Sequence, residues 1–411
     1  MKSDHRQKRI LPIALTLLFA IGFGGRADAE PNGPLKVFIL AGQSNMQGHA
    51  QVETFEAMRL NPKAAPLLKD MVGPNGEPIV CERVWISSIG SSDQVQSGRL
   101  TAGFGAQAKG PKIGPEFTFG IYMQQHLNEP ILIIKTAWGG KSLHTDFRPP
   151  GAGPYTFTES QLETFQKQNK DLDQLKTEKA QATGHYYRMM MDHIRSVLDD
   201  IPSVYPDYDS ASGYELSGFV WFQGWNDMVD RGVYPNRDQP GGYDAYGELL
   251  AQLIRDVRKD LDVPRLPFVI GVMGVGGPTD QYGPDQQRYK GVHQNFRDAM
   301  AFPASLPEFE GSVATVLTEN YWDQKVARLR DREKEIQPEV KELQEAIKSG
   351  KISREQGQQQ IDALYAKTFN DRELEILQDS TSNFDFHYMG SAGILAQIGK
   401  GFADAMATLL P

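Results

Sequence analysis

Ser44 stands in Gly42-Gln43-Ser44-Asn45-Met46, where the apolar run Val37-Phe38-Ile39-Leu40-Ala41 stops at a polar turn. A serine just past the carboxyl end of a buried strand lies at the edge where open α/β sheets bind ligands. Its hydroxyl can act as a nucleophile there if other segments supply a base and donors for an oxyanion. Two further strand-like runs end in suitable donors. One ends in Trp138-Gly139-Gly140, whose paired glycines let backbone amides approach a ligand closely; a tight turn uses the same residues. The other ends in Gly224-Trp225-Asn226-Asp227 and offers the Asn226 carboxamide, although an Asn in a turn also serves local backbone. Ser44, Gly140 and Asn226 follow three different runs, so they are expected to meet at one edge of the sheet.

The base should be a histidine. His126, His185 and His193 fall in helix-like segments on the wrong side of the layer, and His49 is too close in sequence to Ser44 to fold back easily. His293 lies in a polar stretch that could be helical. His387 immediately precedes the last helix, and a loop there can reach the first strand's end. We assign His387 as base and His144, after the second run, as a substrate contact; isolated histidines also serve structure. Asp385, two residues before His387, is the candidate to orient the imidazole, or else an exposed turn residue. Gln43 either locks the nucleophile turn or bonds substrate. Gly139 and Trp225 are further candidate substrate contacts. Trp138 and the Tyr321-Trp322 pair read as stacking rings or as packing, and Asp146 and Arg148 as polar contacts or a local ion pair.

These residues need a scaffold. Five short apolar or β-branched runs, at 37–41, 131–136, 218–222, 267–272 and 313–317, read as buried parallel strands. Helical periodicity covers 115–126, 185–199, 243–261 and about 391–409, with Pro115 and Glu116 suited to a first turn. Alternating strands and helices imply a layered α/β domain. Residues 50–112, rich in Gly, Pro and Ser, are expected to wrap the sheet edge, and 144–180 to run from an irregular segment into a polar helix. Residues 321–379 read as a charged helical hairpin, with Ser353 and Gln356 as a capping box. It could serve as a lid, a docking arm or a spacer.

The 411 residues carry a net charge of −9 without a basic cluster, which disfavours nucleic acid as a partner. The single Cys81 excludes an intrachain disulfide and multi-cysteine zinc sites, and reads as buried filler. Basic residues at the start, an apolar stretch at 11–23 and Ala27-Asp28-Ala29 read as a signal peptide spanning 1–29, leaving 30–411 as one exported domain, periplasmic or extracellular. A retained anchor is the alternative; no later segment is long and apolar enough to insert in a bilayer.

Gly42-Gln43-Ser44-Asn45-Met46, Trp138-Gly139-Gly140, Gly224-Trp225-Asn226-Asp227 and Asp385-Phe386-His387 resemble the signature blocks of the SGNH hydrolases. Gly-Gln-Ser-Asn-Met-x-Gly is similar to the sialate O-acetylesterase and acetylxylan esterase branch. The resemblance implies a three-layer α/β/α sandwich with a five-stranded parallel sheet, flavodoxin-like in outline. It implies a serine esterase that removes acetyl groups from carbohydrate without metal or other cofactor. By that comparison Ser44 is the nucleophile, His387 the base, and the amides of Ser44 and Gly140 with the Asn226 side chain form the oxyanion hole. This chain departs from the pattern in two places. Many members carry the acid three residues before the histidine, where Phe384 stands here, and the branch often has Glu where Trp225 stands. The first departure leaves open a catalytically impaired carbohydrate-binding protein, and other short acyl esters are alternative substrates. A lipase is disfavoured, because Gly-x-Ser-x-Gly and an apolar lid are lacking.

Overall fold

The computed structural model describes residues 33–410; the expected signal segment lies outside them. The strands are β1 (Leu35–Gly42), β2 (Ala50–Gln51), β3 (Val84–Gly90), β4 (Gln96–Arg99), β5 (Lys112–Ile113), β6 (Ile131–Ala137), β7 (Tyr214–Phe222), β8 (Phe268–Val272) and β9 (Val313–Leu317). Seven of them form one sheet in the order β4-β3-β6-β1-β7-β8-β9, and β2 and β5 make a small separate ribbon. All neighbours in the large sheet are parallel except β4, which runs antiparallel to β3.

The five expected strands all form. They were visible because helices cover both faces, which turns the central strands into unbroken apolar runs. On β7, Phe222 packs against Phe402 of the last helix while Trp221, one residue earlier, meets Phe147 on the opposite face. The helices Pro115–His126 and Ala392–Leu409 pack together on one side. His185–Asp199, Asp244–Asp260 and Lys290–Ala301 lie on the other. The expected sheet of five strands is corrected to seven: β3 and β4 come from the segment read as edge wrapping. β3 ends its short apolar start in Ser87-Ser88, and β4 is a largely exposed polar edge strand, so neither carries the apolar signature.

The segment after β6 holds the polar helices Glu159–Lys167 and Leu172–Ala182. The expected hairpin pairs Gln324–Lys348 with Arg354–Thr368, and the Ser353–Gln356 capping box is present. A further helix, Asp371–Asp379, leads back to the His387 turn. No helix among the described residues is long and apolar enough to cross a membrane. Cys81 is buried, which pushes its thiol up to about 12.

Candidate active site

Strand register brings the chemistry together. Gly42 at the end of β1 pairs with Ala137 of β6 on one side and with Phe222 of β7 on the other. The three turns that follow therefore start at one height, on either side of the central strand. Between them and the His387 turn opens a cavity of about 460 Å³, lined by Ser44, Gly140, Asn226 and His387.

The Ser44 turn is built by close approach. A Cβ on Gly42 would sit 2.1 Å from the Phe222 carbonyl oxygen, and one on Gly48 would sit 2.2 Å from Gly114 Cα. Glycines at both ends thus let the four-residue helix Ser44–Gln47 settle between β7 and the start of helix Pro115–His126. Beneath it lies a buried ion pair that sequence reasoning passed over. Lys135, in the middle of β6, reaches Glu116 at 2.6 Å and donates to the carbonyls of Gln47 at 2.8 Å and Phe104 at 2.9 Å. Glu116 sits in the first turn of its helix as expected, and it also accepts the Gly114 N–H. A lysine inside Ile-Leu-Ile-Ile-Lys-Thr-Ala was the signal, because an inward ammonium needs a partner. Removing the carboxylate leaves that charge uncompensated. Glu116→Ala is expected to lose about 3–5 kcal/mol of stability in urea unfolding.

On the donor side, the Gln43 side chain accepts from Gly224 N–H at 2.9 Å and donates to Asn226 Oδ1 at 3.1 Å. With its oxygen held this way, the Asn226 carboxamide has its NH₂ free to donate to a ligand. Gln43 lines the cavity, and these two bonds make it a lock on the turn. Gly140 has φ +73°, in the left-handed region where glycine is unstrained, and its Cα faces open space. Gly139 differs: its N–H donates to Ser91 Oγ, which in turn donates to Gln47, so this amide is not free for substrate. The loop beyond Gly140 is anchored by Asp227, which is fully buried and accepts the N–H groups of Leu143 and His144 and the Gln223 amide.

Several expected contacts lie elsewhere. His144 is bonded to Thr145 and paired with Asp230, and it faces a different cavity with Arg148 and Tyr155. Its expected role as a contact in the Ser44 cleft is therefore corrected to a structural one. Asp146 holds Ser142, and Arg148 binds the carbonyls of Ala152 and Gly153. Trp138 is buried packing, whereas Trp225 lines the Ser44 cavity.

The His387 turn is the second correction. Asp385 does not orient the imidazole. Its carboxylate pairs with Arg330 and Lys334 of the hairpin, each at 2.9 Å. The group on His387 Nδ1 is Asn383 Oδ1, at 3.0 Å. That oxygen also accepts the Phe384 N–H, so it is an acceptor and His387 Nδ1 carries the proton. Nε2 is left as the basic nitrogen. The His49 ring, set aside on sequence grounds, stacks on His387 with centroids 4.0 Å apart and planes 2° apart. Directly after His387, Tyr388 and Met389 adopt φ +51° and +59°. Such strain persists only where surroundings enforce it. Here the buried Tyr388 hydroxyl accepts the Gly274 N–H and donates to Thr318 Oγ1, whose own proton goes to the Val272 carbonyl. No hydrogen bond joins Ser44 to His387 in this structure; catalytic contacts of this kind often tighten only with substrate.

Burial lowers His387 to about 4. His49 falls to about 3, through burial first and then the neighbouring charges of His387, Lys112 and Lys135. A base must be neutral, so a folded value below the usual 6.5 keeps His387 competent in mildly acidic solution. The acid limb of kcat/KM on a small acetyl ester is expected near pH 4, and a limb at 6.5 or above would contradict the neutral partner on Nδ1. Depressed histidines also weaken the fold as pH drops from 6.5 towards 4, because the unfolded chain binds more protons there. Near-UV circular dichroism at each pH separates the two effects.

A family model described as SASA, carbohydrate esterase, sialic acid-specific acetylesterase, matches residues 34–307 of the 411. The match holds Ser44, Gly140 and Asn226 and stops before the hairpin and His387. No curated protein matches the chain. Among solved structures, a protein of Arabidopsis thaliana is similar at 17% identity and a TM-score of 0.37, over 69% of this chain and 86% of its own. A carbohydrate acetylesterase from Xanthomonas citri is similar at 14% identity and a TM-score of 0.35, over 68% of this chain and 49% of its own. With the family model spanning most of the layered core, the chain belongs to the SASA family of carbohydrate esterases and is a carboxylic ester hydrolase.

Proposed function

We propose that this esterase removes O-acetyl groups from a carbohydrate through an acetyl-enzyme on Ser44. The observation that carries the reading is the single cavity lined by Ser44, Gly140, Asn226 and His387. His387 Nε2 takes the Ser44 proton as Oγ bonds to the acetyl carbonyl carbon. The oxyanion is held by the N–H groups of Ser44 and Gly140 and by the Asn226 carboxamide. Collapse of the intermediate breaks the bond to the sugar oxygen, which takes the proton back from His387. Water then attacks acetyl-Ser44 with His387 again as base, releasing acetate and the free serine. Asn383, rather than Asp385, orients the imidazole in this scheme.

The test is acetate release from a panel of acetylated glycans, run with the parent protein and with Ser44→Ala. Release by the parent that is lost in Ser44→Ala is the expected result. Equal release by both overturns the mechanism, and release from simple esters but from no glycan overturns the substrate class. Export is part of the same proposal, supported by the basic, apolar and small-residue order of the N-terminal segment. N-terminal sequencing of the protein recovered outside the cytoplasm is expected to begin at Glu30.

A further inference from the structure

A row of aromatic rings leads out of the Ser44 cavity. Trp225 and Phe386 line the cavity and pack at 5.5 Å between centroids. Phe386 stacks in turn on Phe384, at 5.3 Å with planes 13° apart. Phe384 lies outside the cavity lining and is 64% exposed, more than any other large apolar side chain among the described residues. A single exposed ring needs no explanation. This one continues a stack that ends on the catalytic turn, where Phe386 meets His387 at 4.4 Å.

The ring is also held in place. The Phe384 N–H donates to Asn383 Oδ1, and its carbonyl accepts the N–H groups of His387 and Met389, both at 3.0 Å. On either side the hairpin grips the backbone: Arg330 donates to the Asn383 carbonyl, and Arg330 and Lys334 clasp Asp385. An exposed aromatic face on a fixed backbone binds without first being ordered, which is what makes a recognition surface effective.

Resting on the acetylesterase reading, we propose that Phe384, stacked on Phe386, forms a subsite for a neighbouring sugar ring of the substrate, so that the enzyme acts on acetylated oligo- or polysaccharide rather than on free acetylated monosaccharide. The acetylated residue occupies the cavity. The next ring along the chain lays the C–H face of its pyranose on Phe384, an apolar contact that spares the sugar's hydroxyls for water. The helical insertion thereby fixes the outer part of the binding surface as well as the loop that bears the base.

The experiment compares partially acetylated xylo- and gluco-oligosaccharides of one and four residues, with p-nitrophenyl acetate as a substrate that reaches only the cavity. Phe384→Ala is expected to raise KM on the four-residue substrate roughly five- to tenfold at unchanged kcat. It should leave the one-residue substrate and p-nitrophenyl acetate unchanged, and Phe384→Trp should retain the parent KM. An unchanged KM on the four-residue substrate overturns the proposal. So does an equal loss on all three substrates, which would place Phe384 in holding the His387 turn. No acetate from any saccharide by the parent protein, with p-nitrophenyl acetate still hydrolysed, is the separate result that overturns the carbohydrate substrate of the proposed function and this proposal with it.

Discussion

Replacing His387 with alanine is expected to lower kcat roughly 10⁴- to 10⁶-fold on any acetyl ester, because both proton transfers of the proposed mechanism pass through its Nε2. Asp385→Ala, two residues away, should change kcat by no more than about threefold, since its carboxylate serves Arg330 and Lys334. The contrast separates the two readings of this turn: if Asp385 were the acid behind the base, the two variants would fall together. Asn383→Asp provides a finer readout. A carboxylate placed 3.0 Å from Nδ1 would favour the charged imidazolium. The acid limb of kcat/KM should then move upward from about pH 4. An unmoved limb would mean that Asn383 does not contact the working base. Initial rates on p-nitrophenyl acetate across pH suffice for all three variants.

The second large effect belongs to Asn226. Asn226→Ala is expected to cost roughly 10²- to 10³-fold in kcat with KM little changed, because the carboxamide meets the oxygen only once it carries negative charge. Gln43→Ala should lower kcat in the same direction by a smaller factor, since it frees the Asn226 amide to rotate while leaving the donor present. Both variants should keep a reactive serine. A rise in KM at constant kcat would instead make Asn226 a contact to ground-state substrate.

What the sequence revealed, and what it hid, follows from the kind of signal each residue carries. The central strands were legible because burial on two faces leaves no polar alternation to confuse. Helix Pro115–His126 was legible from its Pro-Glu start, and the hairpin from the Ser353 cap. Ser44, Gly140 and Asn226 could be grouped because each follows a strand, and parallel register delivers such residues to one edge. β3 was hidden by its two serines, and β4 by its exposure. Asn383 was hidden for a chemical reason. A carboxamide has no charge, so nothing marked it as a partner for imidazole, while the charged Asp385 nearby drew the assignment. Its true partners, Arg330 and Lys334, come from an insertion whose place in the fold no local pattern conveys. His49 was set aside on distance along the chain. The tight Ser44–Gln47 turn and the Gly48–Gly114 contact carry the backbone back towards the last loop. His144 shows the converse: a histidine after a strand end that the Asp227 anchor turns away from the cleft.

In the proposed mechanism Ser44 is the nucleophile of the cavity, activated by His387. Fluorophosphonate labelling of the folded protein, with the adduct located by peptide mass spectrometry, tests it most directly. The expected result is one adduct, on Ser44, that forms alongside loss of esterase activity and is greatly slowed in His387→Ala. An inactivated protein labelled at another residue, or full esterase activity persisting in Ser44→Ala, would contradict the account.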